Sequence, residues 1–294
     1  MSKTTRILVI GATGQVGGAA LDFLADKPGI DVFGTTRDLS KKSSIEAKGA
    51  VARELDLDDP ASIQSAVEGI ESLLLVTGYS VSMLHQSLRV IDAAKIAGVK
   101  HIVHIGASSS PTSDVAHWGW HRMIEAYIEQ QGFIFTHLHP ESFMQNLTGF
   151  GWLQESTISN LLGDARWSWV DARDVGAMAG AALLGDERLR NKSVSLGYDS
   201  ASIQEIATKL REDFDVSVEM VDVAPDSFYE GAVSAGADPV YMACVREQLE
   251  LNAQGRIPDA DKTFDSGFFE KVVKRAPRKL RNFLSEYASN LAGV

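Results

Sequence analysis

The chain has 294 residues, 45% of them hydrophobic, with 39 acidic against 28 basic side chains and a formal net charge of −11. That is enough apolar material for one large or two smaller globular domains, and no apolar run reaches the roughly 20 residues needed to span a bilayer. The acidic balance disfavours a general binder of nucleic-acid phosphates, and the lone cysteine, Cys244, permits no internal disulfide.

A strand begins within six residues of Met1, which leaves no room for a signal peptide, so a reducing cytoplasm is the expected setting. Ile7–Ile10 reads as that buried strand. Gly11-Ala-Thr-Gly-Gln-Val-Gly17 follows as a turn, and Gln15–Leu24 as a helix with Leu21 and Leu24 on its core side. Val32–Thr35 and Val51–Glu54 are further strands. Asp59-Pro60 has the N-cap and first-position proline of a helix running to Gly69. Ser72–Val76 is apolar enough for a strand covered on both faces. Ser82–Ala97 is a helix that Gly98 ends. His101–Ile105, Ala116–Gln131 and Phe133–Leu138 read as strand, helix and strand.

Strands alternating with helices imply right-handed βαβ units, a parallel sheet and an α/β, Rossmann-type doubly wound fold. Ligands in such a sheet bind beyond the carboxyl ends of the strands, which selects residues 11–17, 36–37, 77–80, 106–110 and 139–146. After about residue 150 the rhythm changes. Val170-Asp-Ala-Arg-Asp174 leads into a small-residue helix, Val175–Leu184. Lys192–Leu196 reads as a strand, Ser202–Phe214 as an amphipathic helix, and Val216–Val223 as alternating strand. The tail from Pro239 to Ala292 is mostly helical. The expected division is a nucleotide-binding domain over 1–150 and a smaller, mostly helical lobe over 151–294, with segments near 170–200 returning to the sheet. Lys271–Arg281, the one dense basic stretch, reads as a solvated helix face.

Gly11, Gly14 and Gly17 have the spacing G-x-x-G-x-x-G between a strand and a helix. Glycines there let the backbone approach a pyrophosphate, and the helix offers free N–H groups and its positive dipole end. The second strand ends in Arg37, 20 residues beyond Gly17, where an arginine accommodates a 2′-phosphate; Asp38 stands one position late for the acid that would hold a ribose hydroxyl. NADP(H) is therefore expected over NAD(H). Lys41 and Lys42 either assist the phosphate or are solvated. Asp56 follows the third strand, where a carboxylate could accept from an adenine amino group, and Asp59 is the helix cap.

Several blocks together resemble the NmrA-like, atypical short-chain dehydrogenase/reductase family. They are Ile10–Gly17, Arg37, Asp56–Pro60, Ala97-Gly-Val-Lys-His-Ile102, His139-Pro-Glu-Ser-Phe-Met-Gln-Asn146 and Val170–Asp174. Within the family the chain looks most like the branch containing triphenylmethane reductases and NADPH-dependent quinone reductases. The resemblance implies NADP(H) held by the positions matching Gly11, Thr13, Gly14, Gln15, Val16, Gly17 and Arg37. Asp56 would contact adenine, Val76, Thr77 and Gly78 would cross its ribose, and Pro140, Ser142 and Phe143 would wall the nicotinamide. The chain departs from ordinary short-chain dehydrogenases, which carry Tyr-x-x-x-Lys. Here His117 stands at the tyrosine position and His121 at the lysine position; Tyr127 is on the same helix but out of register. The family's usual arginine before Pro140 is His139.

Hydride transfer is the cofactor's own chemistry, so the protein need only position an acceptor and manage a proton. His121 titrates near neutrality when unperturbed and is the first candidate for that role. His117, one turn earlier, and Ser108 are further catalytic candidates, with Ser109 and Ser110 beside Ser108 in the same loop. Six of the seven histidines lie between His101 and His139. His117-x-x-x-His121 lacks the glutamate of a zinc protease, and no cysteine or acid cluster completes a set, so no metal site is expected. All five tryptophans lie between Trp118 and Trp169. Tyr79, Trp118, Trp120, Phe143, Met144, Phe150 and Trp152 would line an aromatic pocket for a flat apolar substrate, or else Trp118 and Trp120 pack between lobes or in a dimer; Trp167 and Trp169 read as packing. The leading expectation is an NADPH-dependent reductase of a small aromatic or conjugated acceptor resembling a quinone, dye, imine or carbonyl compound. The rival is a non-catalytic NADP(H) sensor.

Overall fold

The structure, a computed structural model, describes residues 4–108, 110–112, 114–154 and 156–292. Strand and helix alternate through β1 (Thr5–Val9), α1 (Gln15–Leu24), β2 (Ile30–Thr36), α2 (Lys42–Glu46), β3 (Val51–Glu54), α3 (Pro60–Val67), β4 (Ser72–Leu75), α4 (Met83–Ala97), β5 (His101–Ile105), α5 (Ala116–Gln130) and β6 (Ile134–Pro140). The chain continues through β7 (Ser142–Phe143), α6 (Asn146–Gly149), β8 (Thr157–Asn160), β9 (Trp167–Val170), α7 (Ala172–Leu183), β10 (Lys192–Leu196) and β11 (Asp199–Ala201). It ends with α8 (Ile203–Phe214), β12 (Glu219–Asp222), α9 (Pro225–Ser234), α10 (Pro239–Ala253), α11 (Ser266–Val273) and α12 (Leu280–Ala292).

Seven strands form one parallel sheet in the order β10-β6-β5-β4-β1-β2-β3. The chain winds outward in opposite directions from β1 and β4, so the topological switch point lies between them and opens a crevice at their carboxyl ends. Alternation along β1 sends Ile7 and Val9 to one face and Leu8 to the other. The first pair packs with Leu21, Leu24, Met178 and Phe269 of α1, α7 and α11. Leu8 packs with Ile63, Val90 and Ile124 of α3, α4 and α5. A second core gathers Met144, Trp152 and Trp169 with Ile206 of α8 and Leu284 of α12.

The expected helix signals form as local hydrogen bonds. Asp59 Oδ1 accepts from the Ala61 N–H at 3.0 Å. Gly98 ends α4 at φ +79°. Ser202 and Glu205 make a reciprocal capping box on α8. α7 begins earlier than expected, because Asp171 caps it. β10 pairs with β6 from Lys192↔Thr136 to Leu196↔Pro140, adding a C-terminal segment to the first sheet.

The tail is mostly helical, as expected, in α10, α11 and α12 separated by irregular stretches at 254–265 and 274–279. Two expectations are corrected. Only Glu219–Asp222 of the alternating 216–223 stretch is a strand, laid parallel to β8. The basic stretch is not a solvated helix face, because Arg275 and Arg278 turn inward onto buried acids (below). The short strands β7, β8, β9 and β11 went unread, since two to four residues carry too little periodicity to announce themselves. Helix α9 went unread as well.

Candidate active site

The turn after β1 is held by Gly11, whose φ of +74° a side chain would resist, and by a Gly14 N–H bond to the Gly11 carbonyl at 2.9 Å. The first i→i−4 bond of α1 runs from Gly18 to Gly14 at 2.8 Å. The N–H groups of Gln15, Val16 and Gly17 therefore have no intrahelical partner, and α1 carries neither a side-chain cap nor an acid in its first turn. Those donors face a cleft of about 550 Å³. It is lined by Gly11, Thr13, Gly14, Gln15, Val16, Gly17, Arg37, Val76, Thr77, Gly78 and Phe143, all expected cofactor positions.

Asp56 is not among them. Its Oδ1 accepts from the Asp58 N–H at 3.0 Å, and the cleft wall there is Leu55 and Leu57. Arg37 is exposed and has no hydrogen bond or ion pair among the described residues. Asp38 is turned away, capping its own turn through the Ser40 N–H at 2.9 Å. Lys42 is paired with Glu46 at 3.3 Å.

A second cavity of about 640 Å³ opens from the cleft, and the two share Tyr79, Phe143, Asn146, Gly149 and Phe150. Pro140 and Ser142 line this cavity rather than the cleft. It also takes in Ser108, His117, Trp118, His121 and Trp152 as expected. Two expected pocket residues are elsewhere. Met144 is fully buried in the second core, because strand alternation sends it away from the side that Phe143 faces. Trp120 packs beside Tyr241 with ring centroids 6.2 Å apart, since two positions along a helix turn it well away from Trp118. Trp167, read as packing, lines the cavity; Trp169 is fully buried and its Nε1 donates to the Ala201 carbonyl at 3.0 Å. Ser110 donates to the Pro258 carbonyl at 3.1 Å. Ser109 lies outside the described residues. Tyr127 donates to Asp92 at 2.6 Å and does not line the cavity.

The far wall comes from α9 and α10, with Phe228, Tyr241, Met242 and Gln248. These residues gave no sequence signal, because their helices are joined to the site only by the fold. Asn146 lines both cavities and was named only as part of a strand-end segment.

Behind His121 lies a polar layer between α5 and the sheet. His121 Nδ1 and His104 Nε2 are 3.2 Å apart, His104 Nδ1 is 3.6 Å from Glu125 Oε1, and His139 Nε2 is 2.9 Å from that same oxygen. His137 Nε2 is 3.3 Å from Glu129 Oε1. Gly106 makes room for the group, since a β-carbon there would be 2.6 Å from Glu125 Oε1. Ligand atoms of His104, Glu125 and His137 lie within 4.8 Å of one another, so the acid that the histidines lacked in sequence is Glu125. The signal for it was present: His117, His121 and Glu125 repeat every four residues, one helical face.

Burial sets the protonation of this layer. It lowers His104, puts His117 at about 4 and His137 at about 3, and holds His121 well below 6.5 with help from His104 and His117. Burial would raise Glu125, but the nearby His104 ring and the hydrogen bond with His139 prevail and keep it below the usual carboxylate range. His121 therefore faces the cavity as a neutral imidazole with an ionised carboxylate two groups behind it.

The Val170–Asp174 block ties the cleft wall to the C-terminal tail. Asp171, fully buried, accepts from Arg173, from Gln145 at 2.8 Å and from Arg278 at 3.1 Å. Asp174, equally buried, accepts from Arg275 Nη1 and from the Arg278 N–H, both at 2.6 Å. Gln145 returns to the Ala172 N–H at 2.9 Å, so the cleft wall and the tail share one network.

Comparison with known proteins is consistent along the chain. The NmrA-like family matches residues 3–288. An NAD(P)H azoreductase of Xenophilus azovorans is 31% identical over 180 residues, which are 60% of this chain and 63% of that enzyme. Quinone oxidoreductase 2 of Escherichia coli K12 is 26% identical over 78% of this chain and 82% of its own. Among solved structures, triphenylmethane reductase of Citrobacter sp. complexed with NADP(H) superposes with a TM-score of 0.80 at 24% identity, covering 96% of this chain and 99% of that one. The parallel sheet, the glycine turn and the extent of the match together make this chain a member of the NmrA-like family.

Proposed function

We propose that the protein is an NADPH-dependent reductase of a small, flat aromatic or conjugated acceptor such as a quinone, dye, imine or carbonyl compound. One observation carries this reading. The glycine-turn cleft and the aromatic cavity meet at Tyr79, Phe143, Asn146 and Phe150, so a dinucleotide seated on α1 would end where an apolar chamber begins. The residues fit such a cofactor. Gln15, Val16 and Gly17 offer N–H donors for a pyrophosphate, and a β-carbon at position 17 would fill the cradle. Arg37 is unpaired where a 2′-phosphate would lie, while Asp38 is occupied, which supports NADPH over NADH. When bound, the dinucleotide supplies hydride. The protein's own work is to stack the acceptor among Trp118, Phe143, Phe150 and Trp152, to exclude water, and to present His121 at the chamber wall. Relatives named for azo, quinone and triphenylmethane chemistry agree with such an acceptor. No helix among the described residues is long and apolar enough to cross a membrane, and with a lone buried thiol the proposed setting is the cytoplasm.

The test is NADPH oxidation with a panel of quinones, cationic dyes, imines and aldehydes. Turnover of at least one class is expected. Tight NADP(H) binding without turnover of any would favour the sensor.

A further inference from the structure

We infer that His121, His104, Glu125 and His139 form a proton relay that connects the aromatic cavity to solvent through the inside of the fold. The inference rests on the reductase reading for its purpose and on geometry for its path.

The path begins at the cavity wall. His121 lines the cavity and its Nδ1 is engaged by His104 at 3.2 Å, so Nε2 is the ring nitrogen left for a bound molecule. His104 sits on β5 with no exposed surface. One of its nitrogens meets His121 and the other, without a hydrogen-bond partner among the described residues, looks toward Glu125 Oε1 at 3.6 Å. In the relay the glutamate turns to close that gap. The same Oε1 meets His139 Nε2 at 2.9 Å, and the His139 side chain is 17% exposed. Four groups thus run in single file from chamber to surface, and Gly106 is the residue whose missing side chain lets the last two meet. The flanking titratable groups are His117, one turn before His121, and His137 with Glu129 on the far side.

Purely structural histidines would need no such continuity. Burying imidazoles and a carboxylate between helix and sheet is costly compared with apolar packing, and the neighbouring interface is apolar. The relay gives the arrangement a use. Hydride transfer to a neutral acceptor such as a quinone leaves an anion that needs a proton. A buried neutral imidazole is a poor acid alone, but it can pass a proton through without holding a charge. The His121 Nε2–H bond breaks as the anion takes that proton. His121 Nδ1 takes the proton of His104 Nε2, His104 Nδ1 is refilled across Glu125 Oε1 from His139 Nε2, and His139 is refilled from water. One proton enters from solvent, one leaves on the product, and each ring has exchanged the nitrogen that carries hydrogen. In these terms His121 is the catalytic residue; His104, Glu125 and His139 act through it.

The test compares two acceptors. A quinone needs a proton after hydride transfer, whereas a cationic triarylmethane dye becomes neutral and needs none. In Glu125→Gln the ratio of quinone to dye turnover should fall by about 10²-fold, with a solvent deuterium isotope effect on the quinone that the dye does not show. Equal losses for both acceptors would overturn the relay, because a merely misfolded site slows both. Long-range ¹H–¹⁵N spectra of the histidine rings give a readout free of turnover. The His121 nitrogens should shift in Glu125→Gln although His104 stands between the two side chains; unshifted His121 resonances would overturn the relay even if the wild type reduced neither acceptor, which would defeat only the reductase reading. One equivalent of zinc in purified protein would overturn it too, since a metal would take the His104 lone pair. If Glu125→Gln does not fold, Glu125→Asp, which retracts the carboxylate by one methylene, is measured with the same expected direction.

Discussion

A β-carbon placed on Gly17 would lie 2.2 Å from the carbonyl oxygen of Gly11. No L side chain fits that separation, so strand end and helix start are in backbone contact. Gly17→Ala should push the turn apart. We expect a stability loss of about 1–3 kcal/mol, as for overpacking elsewhere, and a loss of NADPH affinity of at least about tenfold. Fluorescence titration and urea unfolding check both; wild-type affinity would show that the turn does not cradle the dinucleotide.

Arg37 is exposed on the cleft with no partner among the described residues, while the next residue, Asp38, is held by its own turn. Arg37→Ala should weaken NADPH by about 10- to 100-fold, the range of a lost charge-assisted contact, and NADH by under about threefold. Equal losses for the two dinucleotides would refute the 2′-phosphate assignment.

Trp118 lines the aromatic cavity and is absent from the dinucleotide cleft. Trp118→Leu keeps the wall apolar but removes an aromatic face worth about 1–1.5 kcal/mol. KM for a flat aromatic acceptor should rise by about tenfold, and Kd for NADPH should change by less than about twofold. A KM that does not move would put the acceptor elsewhere.

Burial lowers His101 and His117 to about 4 and His137 to about 3, from 6.5. Each therefore binds its proton at a higher pH unfolded than folded, and acid favours the unfolded chain. Their contribution is complete above pH 6.5 and is lost as the pH falls toward 4, on the order of 1–2 kcal/mol for each at pH 5. Glu125, held below its ordinary value, adds a loss of the same sign at lower pH. Tm should drop steeply between pH 7 and pH 5; a flat Tm over that range would contradict the buried neutral histidines.

Asp174 has no exposed surface and receives Arg275 and the Arg278 N–H. Asp174→Asn leaves Arg275 without its counterion, though with a side chain 42% exposed it recovers water. A loss of about 2 kcal/mol is expected, below the 3–5 kcal/mol of a fully enclosed pair. The midpoint of urea unfolding measures it.

The nucleotide half of the protein was readable because its determinants are local. Gly11, Gly14 and Gly17 act through their own backbone, Asp59 and Gly98 through bonds within one turn, and Arg37 through its distance from the glycine turn. The aromatic chamber was half readable. Trp118 and Phe143 were placed correctly from their elements, but Met144 and Trp120 were not, because one residue of strand phase or two of helix phase reverses a side chain. Asp56 lies outside the cleft lining, and its carboxylate accepts from the Asp58 N–H two residues away, a local bond that its spacing did not announce.

What the sequence by itself determined is the parallel sheet, the glycine turn and the arginine beyond it, each set by short-range geometry and periodicity. What only the tertiary structure decided is which distant groups meet. His104, Glu125 and His139 lie on a strand, a helix and the next strand, and nothing in their spacing shows that one oxygen joins them. Phe228 and Tyr241 close a chamber begun by Tyr79, and Arg275 finds Asp174 across a hundred residues of chain. Such contacts depend on how helices lie on the sheet, which the whole core sets at once, so only the folded protein shows where the chemistry has been assembled.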